Sequence, residues 1–112
     1  MATEDVEAPT WTFLTNHAHV LVCIAEDPDT RLRDIATRVG ITERAAQAIV
    51  SDLEAGGYLT RTRIGRRNTY EIHPDLPFRH VIEHDHQVGE LLGLLDVAPK
   101  KPRSSPRRRS ST

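Results

Sequence analysis

A single cysteine and only five aromatic residues stand in a chain of 112 residues. One thiol excludes an internal disulfide framework, which suits a reducing compartment. Cys23 falls in the apolar run Val20 to Ala25 with no Lys or Arg beside it in sequence, so a core thiol is expected there rather than a redox sensor. No apolar run approaches the ~20 residues that span a bilayer. The first seven residues carry three acids where a secretory leader would be basic, so the chain is expected to stay in the cytoplasm. A nucleophile elbow, a phosphate loop and a closely spaced carboxylate pair are all missing, and no enzyme and no cofactor are expected. The length suits one domain with tails and leaves no room for a separate effector domain.

Charge is present but segregated. The formal net charge of −1 conceals eight arginines (31, 33, 38, 44, 61, 63, 66 and 67) against four acids between residues 31 and 67. Residues 68 to 96 reverse this, with Arg79 against six acids, and six basic residues without an acid follow Asp96. A basic surface at one motif is thus hidden by the whole-chain balance.

That motif centres on the segment from Ile41 to Leu53. Thr42 is a good N-cap, and Ala46, Ile49, Val50 and Leu53 repeat at the three- and four-residue spacings of one apolar helical stripe. Glu43, Arg44, Gln47, Ala48 and Ser51 make the opposite, outward face. Upstream, Leu32, Ile35, Ala36 and Val39 define a short helix that Gly40 ends, so two helices meet at a tight turn. An earlier helix is expected over Asn16 to Glu26, broken by Asp27-Pro28-Asp29. His17 and His19 ride on it as surface residues. Trp11, Phe13 and Leu14 are expected to seal one end of the core. Downstream, Gly56-Gly57 stop the second helix of the motif, and two runs of strand character, Tyr58 to Ile64 and Asn68 to His73, flank Gly65-Arg66-Arg67. A hairpin with a basic tip is expected, anchored at its base by Leu59, Tyr70 and Ile72.

Arg31-Leu-Arg-Asp-Ile-Ala, Gly40-Ile-Thr, Leu53-Glu-Ala-Gly-Gly-Tyr-Leu and Gly65-Arg-Arg-Asn-Thr-Tyr together resemble the winged helix-turn-helix domain of MarR- and ArsR-type bacterial transcription regulators, over about residues 13 to 73. The resemblance implies a mainly α fold with a small β-hairpin, and a short third strand at Thr30-Arg31-Leu32. It also implies double-stranded DNA as partner, with recognition helix 42–55 in the major groove and wing 58–73 on the adjacent minor groove. Arg44 and Gln47 then read base edges, because Arg pairs twice with guanine and Gln twice with adenine, while Ala45 and Ala48 meet thymine methyls. Arg66 and Arg67 enter the minor groove, Arg61 and Arg63 contact phosphate, and Thr42, Ser51, Arg31 and Arg33 contact the backbone.

The remainder divides into an acidic lead (residues 1–10), the domain proper (11–75), a C-terminal helix (76–96) and a basic Pro/Ser tail (97–112). Phe78, Val81, Asp85, Val88, Leu92 and Leu95 step by threes and fours, which predicts one helix over about 78–95 whose seam makes a homodimer. His80 and His84 would share a face of that helix. A metal-responsive, ArsR-like repressor is therefore an alternative, although a matching second ligand set is missing and no metal site is expected. The other alternative is a protein-interaction module on the same scaffold.

Overall fold

A computed structural model describes residues 9–97; the acidic lead up to residue 8 and the basic tail from residue 98 lie outside the described residues. The elements run α1 (Asn16–Glu26), α2 (Leu32–Val39), α3 (Glu43–Ala55), β1 (Leu59–Ile64), β2 (Arg67–Ile72) and α4 (Val88–Leu94). The three helices pack on one another, and the hairpin leans on them, β1 against α3 and β2 against α1. This is a winged helix-turn-helix.

Local chemistry explains most of the boundaries. Thr15 caps α1 by accepting from the Ala18 amide, and Thr42 caps α3 by accepting from the Ala45 amide at 3.0 Å. Gly40 ends α2 at φ 87°, a left-handed conformation that costs glycine least, and its amide donates to the Ala36 carbonyl. The outcome is the sharp turn that sets α3 across α2. Replacing Thr42 by alanine is expected to cost about 1 kcal/mol, because one amide of the first turn loses its acceptor. Urea unfolding checks this; an unchanged midpoint would show that the cap carries no stability.

Val20, Ile24, Ile35, Ala46 and Val50 are fully buried between the helices, while Leu59, Tyr70 and Ile72 close the base of the wing, as their spacing implies. Leu59 faces Ile72 across the hairpin, and the register runs to Ile64 opposite Arg67. The turn is therefore only Gly65-Arg66, one residue shorter than expected. Gly65 at φ 64° followed by a residue without positive φ suits a type II′ turn.

Several further expectations are corrected. The described residues hold a two-stranded sheet: the segment at Thr30-Arg31-Leu32 makes no third strand, because Leu32 already begins α2. The segment before it does reach the wing: the Pro28 carbonyl accepts from the Tyr70 amide and the Asp29 carbonyl from the Arg67 side chain. Trp11 and Phe13 do not seal the core. They stack edge to face at 5.1 Å with 67% and 90% of their surface exposed.

The largest correction concerns the C-terminal segment. No helix runs from 78 to 95: residues 79–86 are turns and bends, and α4 spans only Val88–Leu94. His80, Val81, Ile82, His84, Asp85 and His86 are all middling to poor helix formers, so apolar spacing alone does not hold a helix there. The chain instead folds back, with a bridge between Pro77 and Gln87 and bonds from the Phe78 amide to the His86 carbonyl and from the Val88 amide to the Leu76 carbonyl. A new helix starts where the Glu90 carboxylate accepts from the Gln87 amide at 2.9 Å.

The proposed seam is thereby split. Val88 and Leu92 are buried in the protomer's own core and Phe78 packs against it, whereas Val81, Asp85 and Leu95 face solvent. Val97, assigned to the tail, is a core residue whose amide donates to the Leu92 carbonyl.

Candidate nucleic-acid interface

The apolar stripe of α3 faces the core, which forces its other side outward. Arg44, Ala48 and Ser51 are exposed there, with Gln47 and Ala45 half-buried. Arg44 makes no ion pair with any described residue. Gln47 is engaged: its side-chain Nε2 donates to Ser51 Oγ at 3.1 Å, one turn along the helix. Thr42 spends an oxygen lone pair on its cap and keeps its O–H for an outside acceptor.

The structure sorts the motif's eight arginines into two groups. Arg38 pairs with Glu26 at 2.6 Å, and Arg61 pairs with Glu54 at 2.9 Å, which ties β1 to the last turns of α3. Arg67 donates from Nη2 to the Asp29 carbonyl at 2.6 Å, and Arg63 donates from Nε to the Gly65 carbonyl within the turn. Arg31, Arg33, Arg44 and Arg66 are exposed, and their guanidinium groups make no ion pair or hydrogen bond with a described residue. Sequence reasoning ranked Arg66 and Arg67 together, and missed that Asp29 and Glu54 hold two of the arginines. No local signal marks such pairs: Arg67 and Asp29 lie 38 residues apart, and Glu54 and Arg61 belong to different elements that only packing sets side by side.

Arg31, Arg66 and Arg67 come together around a concavity of about 370 Å³ between the start of α2 and the wing tip, with Thr30 and Asn68 on its walls. Three guanidinium groups with amide and hydroxyl donors around one hollow make a setting for an anion, and a DNA phosphate fits that chemistry. Arg31 and Arg66 keep their guanidinium groups free for it, while Arg67 already holds the Asp29 carbonyl. Arg66→Ala is expected to weaken binding to any duplex and to lower the log–log salt slope by about one unit, with folding unchanged. Arg67→Ala is expected to cost about 1 kcal/mol of stability first, because it frees the wing from Asp29. Titrations at several salt concentrations beside urea unfolding separate the two; identical behaviour of both variants would refute the division.

The histidines do not converge. His80 and His84 lie in the turn segment, not on a shared helical face, and no group of three metal-ligating side chains occurs among the described residues. His17 bonds through Nε2 to Asp52 Oδ2 at 2.9 Å, linking α1 to α3, and His19 bonds to Asn16. His86 is held above its ordinary pKa by the Glu90 carboxylate it bonds at 2.8 Å, and Glu90 is held low by the Gln87 amide and by His86. Cys23 is buried, and that burial pushes its thiol up, away from the reactive thiolate. No helix among the described residues is long and apolar enough to cross a membrane.

A comparison with curated proteins finds no match. Residues 15–60 match the family model of winged helix-turn-helix DNA-binding domains. That stretch holds α1 to α3 and the first residues of β1, and the hairpin completes it, so the chain has the winged helix-turn-helix fold and is similar in this part to DNA-binding domains of that kind.

Proposed function

We propose that the protein binds double-stranded DNA sequence-specifically as a homodimeric bacterial transcription regulator of the MarR/ArsR kind. On this reading it works in the cytoplasm on the nucleoid, by occupying a near-palindromic site and without catalysis. Helix α3 enters the major groove and the wing tip meets the adjacent minor groove. One observation carries the reading: the four arginines left without internal partners, Arg31, Arg33, Arg44 and Arg66, all lie where the resemblance reads DNA. Arginines needed only to solvate a surface would have no reason to divide in this way. Dimerisation is supported by apolar side chains that the fold leaves outside, chiefly Val81, Ile82, Leu94 and Leu95 on the C-terminal segment with the Trp11–Phe13 pair. Two domains held about 34 Å apart would read successive half-sites.

Electrophoretic shift against random duplex DNA over a range of salt tests the class of function. Four phosphate contacts per protomer imply a log–log slope of about −3.6 per protomer. Selection of bound fragments then gives the operator, where two half-sites are expected. Binding that is absent, or indifferent to salt, would overturn the reading in favour of a protein-interaction module.

A further inference from the structure

A carboxylate stands on the face of α3 where an anionic partner would be met. The helix carries three acids, Glu43, Asp52 and Glu54. Asp52 is bonded to His17 and Glu54 to Arg61, so two of the three are taken up inside the domain. Glu43, in the first turn, is exposed, and its carboxylate makes no ion pair or hydrogen bond with a described residue.

Its neighbours explain why it stays free. Arg44 is adjacent in sequence, and adjacent helical residues do not face each other. Gln47, one turn on, has the spacing to meet Glu43, but its Nε2 donates the other way, to Ser51 Oγ. The position three residues after the Thr42 cap, from which a Glu would bond back to the cap amide, holds Ala45. What remains inside the molecule is a favourable interaction with the helix dipole. Against DNA the same charge lies within the ~10 Å over which phosphates act at 0.1 M salt, and it is repelled unless it meets a donor.

The major groove offers two such donors, cytosine N4–H and adenine N6–H. Adenine N6 lies between two acceptors, its own N7 and thymine O4, which repel the second carboxylate oxygen. Cytosine N4 has an acceptor on one side only, guanine O6, and guanine is the base that Arg44 prefers.

We propose that Glu43 is a specificity-determining residue: its carboxylate accepts from cytosine N4 in the major groove, beside a guanine held by Arg44, and its charge opposes binding where that cytosine is missing. The inference rests on the DNA reading above, and its test separates the two.

Fragment selection, followed by titration of the selected duplex and of a random one, is run with the full chain and with Glu43→Ala and Glu43→Gln. The parent is expected to select cytosine at one position per half-site, by about tenfold over the other bases. Glu43→Ala is expected to erase that preference and to raise affinity for random duplex about two- to fivefold at low salt, because a like charge has left the interface. Glu43→Gln is expected to move the preference to adenine. N4-methylcytosine at the selected position still pairs with guanine but turns a methyl group into the groove in place of the donor. It is expected to weaken the parent about tenfold and Glu43→Ala less than about twofold. Urea unfolding shows that each variant is folded. A residue that only helps α3 to start would alter stability and leave base preference untouched, which would overturn the proposal. So would a parent that selects no cytosine, a cytosine preference that survives in either variant, or an equal loss on N4-methylcytosine with and without the carboxylate. A parent that binds no duplex overturns the DNA reading and this inference together, whereas a parent that selects a site shared by both variants overturns this inference alone.

Discussion

Leu92→Ala is expected to lower folding stability by about 2–5 kcal/mol, a large share of the 5–15 kcal/mol available to a domain of this size. Leu92 is completely buried on α4, in the cluster that also contains Val88 and Val97. Truncation there loses the transfer energy of its methyl groups and leaves a void that its neighbours fill only in part. Leu92→Glu is worse, because it places an unpaired charge in the core, and is expected to unfold the chain rather than release a folded monomer. Leu95 gives the contrast three residues on. It is 42% exposed, and Leu95→Glu should leave stability within about 0.5 kcal/mol while weakening self-association if this face makes the dimer. Urea unfolding with sedimentation of both variants distinguishes the roles. A Leu92→Ala midpoint equal to the parent's would mean that α4 is not docked as the core element described above.

Arg44→Ala is expected to be the most damaging single change for operator binding. A bidentate arginine–guanine contact accounts for about 1–3 kcal/mol of discrimination, some fivefold to 150-fold in affinity for the chosen site. The same change should cost only about one salt-dependent contact on random DNA. Gln47→Ala is expected to do less, because Gln47 must first give up its bond to Ser51 before reaching a base edge. Ser51→Ala, which frees that amide, is therefore expected to sharpen rather than blur any adenine preference. Fragment selection with the three variants supplies the check. If the Arg44→Ala site logo matches the parent's, base reading does not run through α3's first turn.

Much of the domain was legible residue by residue because its signals are local. The apolar spacing of Ala46, Ile49, Val50 and Leu53, the cap at Thr42 and the stop at Gly40 each act within a turn of the chain, where propensity and hydrogen bonding decide alone. The hairpin was equally accessible, since Leu59, Tyr70 and Ile72 are the apolar residues at its base and Gly65 marks its turn. The segregation of charge also needed no coordinates. It placed the arginines on the motif before any of them had a position in space.

Between Phe78 and Leu95 the same kind of reasoning failed. Apolar periodicity records that Phe78, Val88 and Leu92 meet an apolar surface, but not that they do so from two different elements separated by a bend. The histidine-rich middle has no strong helical preference, so the backbone takes the conformation that lets Leu76 and Val88 pair and seals the domain's own core. The division of the arginines was likewise decided by tertiary structure: Arg67 meets the carbonyl of Asp29, 38 residues away in sequence, and no pattern along the chain specifies that meeting. Sequence determined which face carries positive charge, because that depends on helical periodicity. Only packing decided which of those charges remain available, because an ion pair such as Arg38–Glu26 or a bond to a carbonyl such as Arg67–Asp29 depends on which separate elements the core brings within 3 Å.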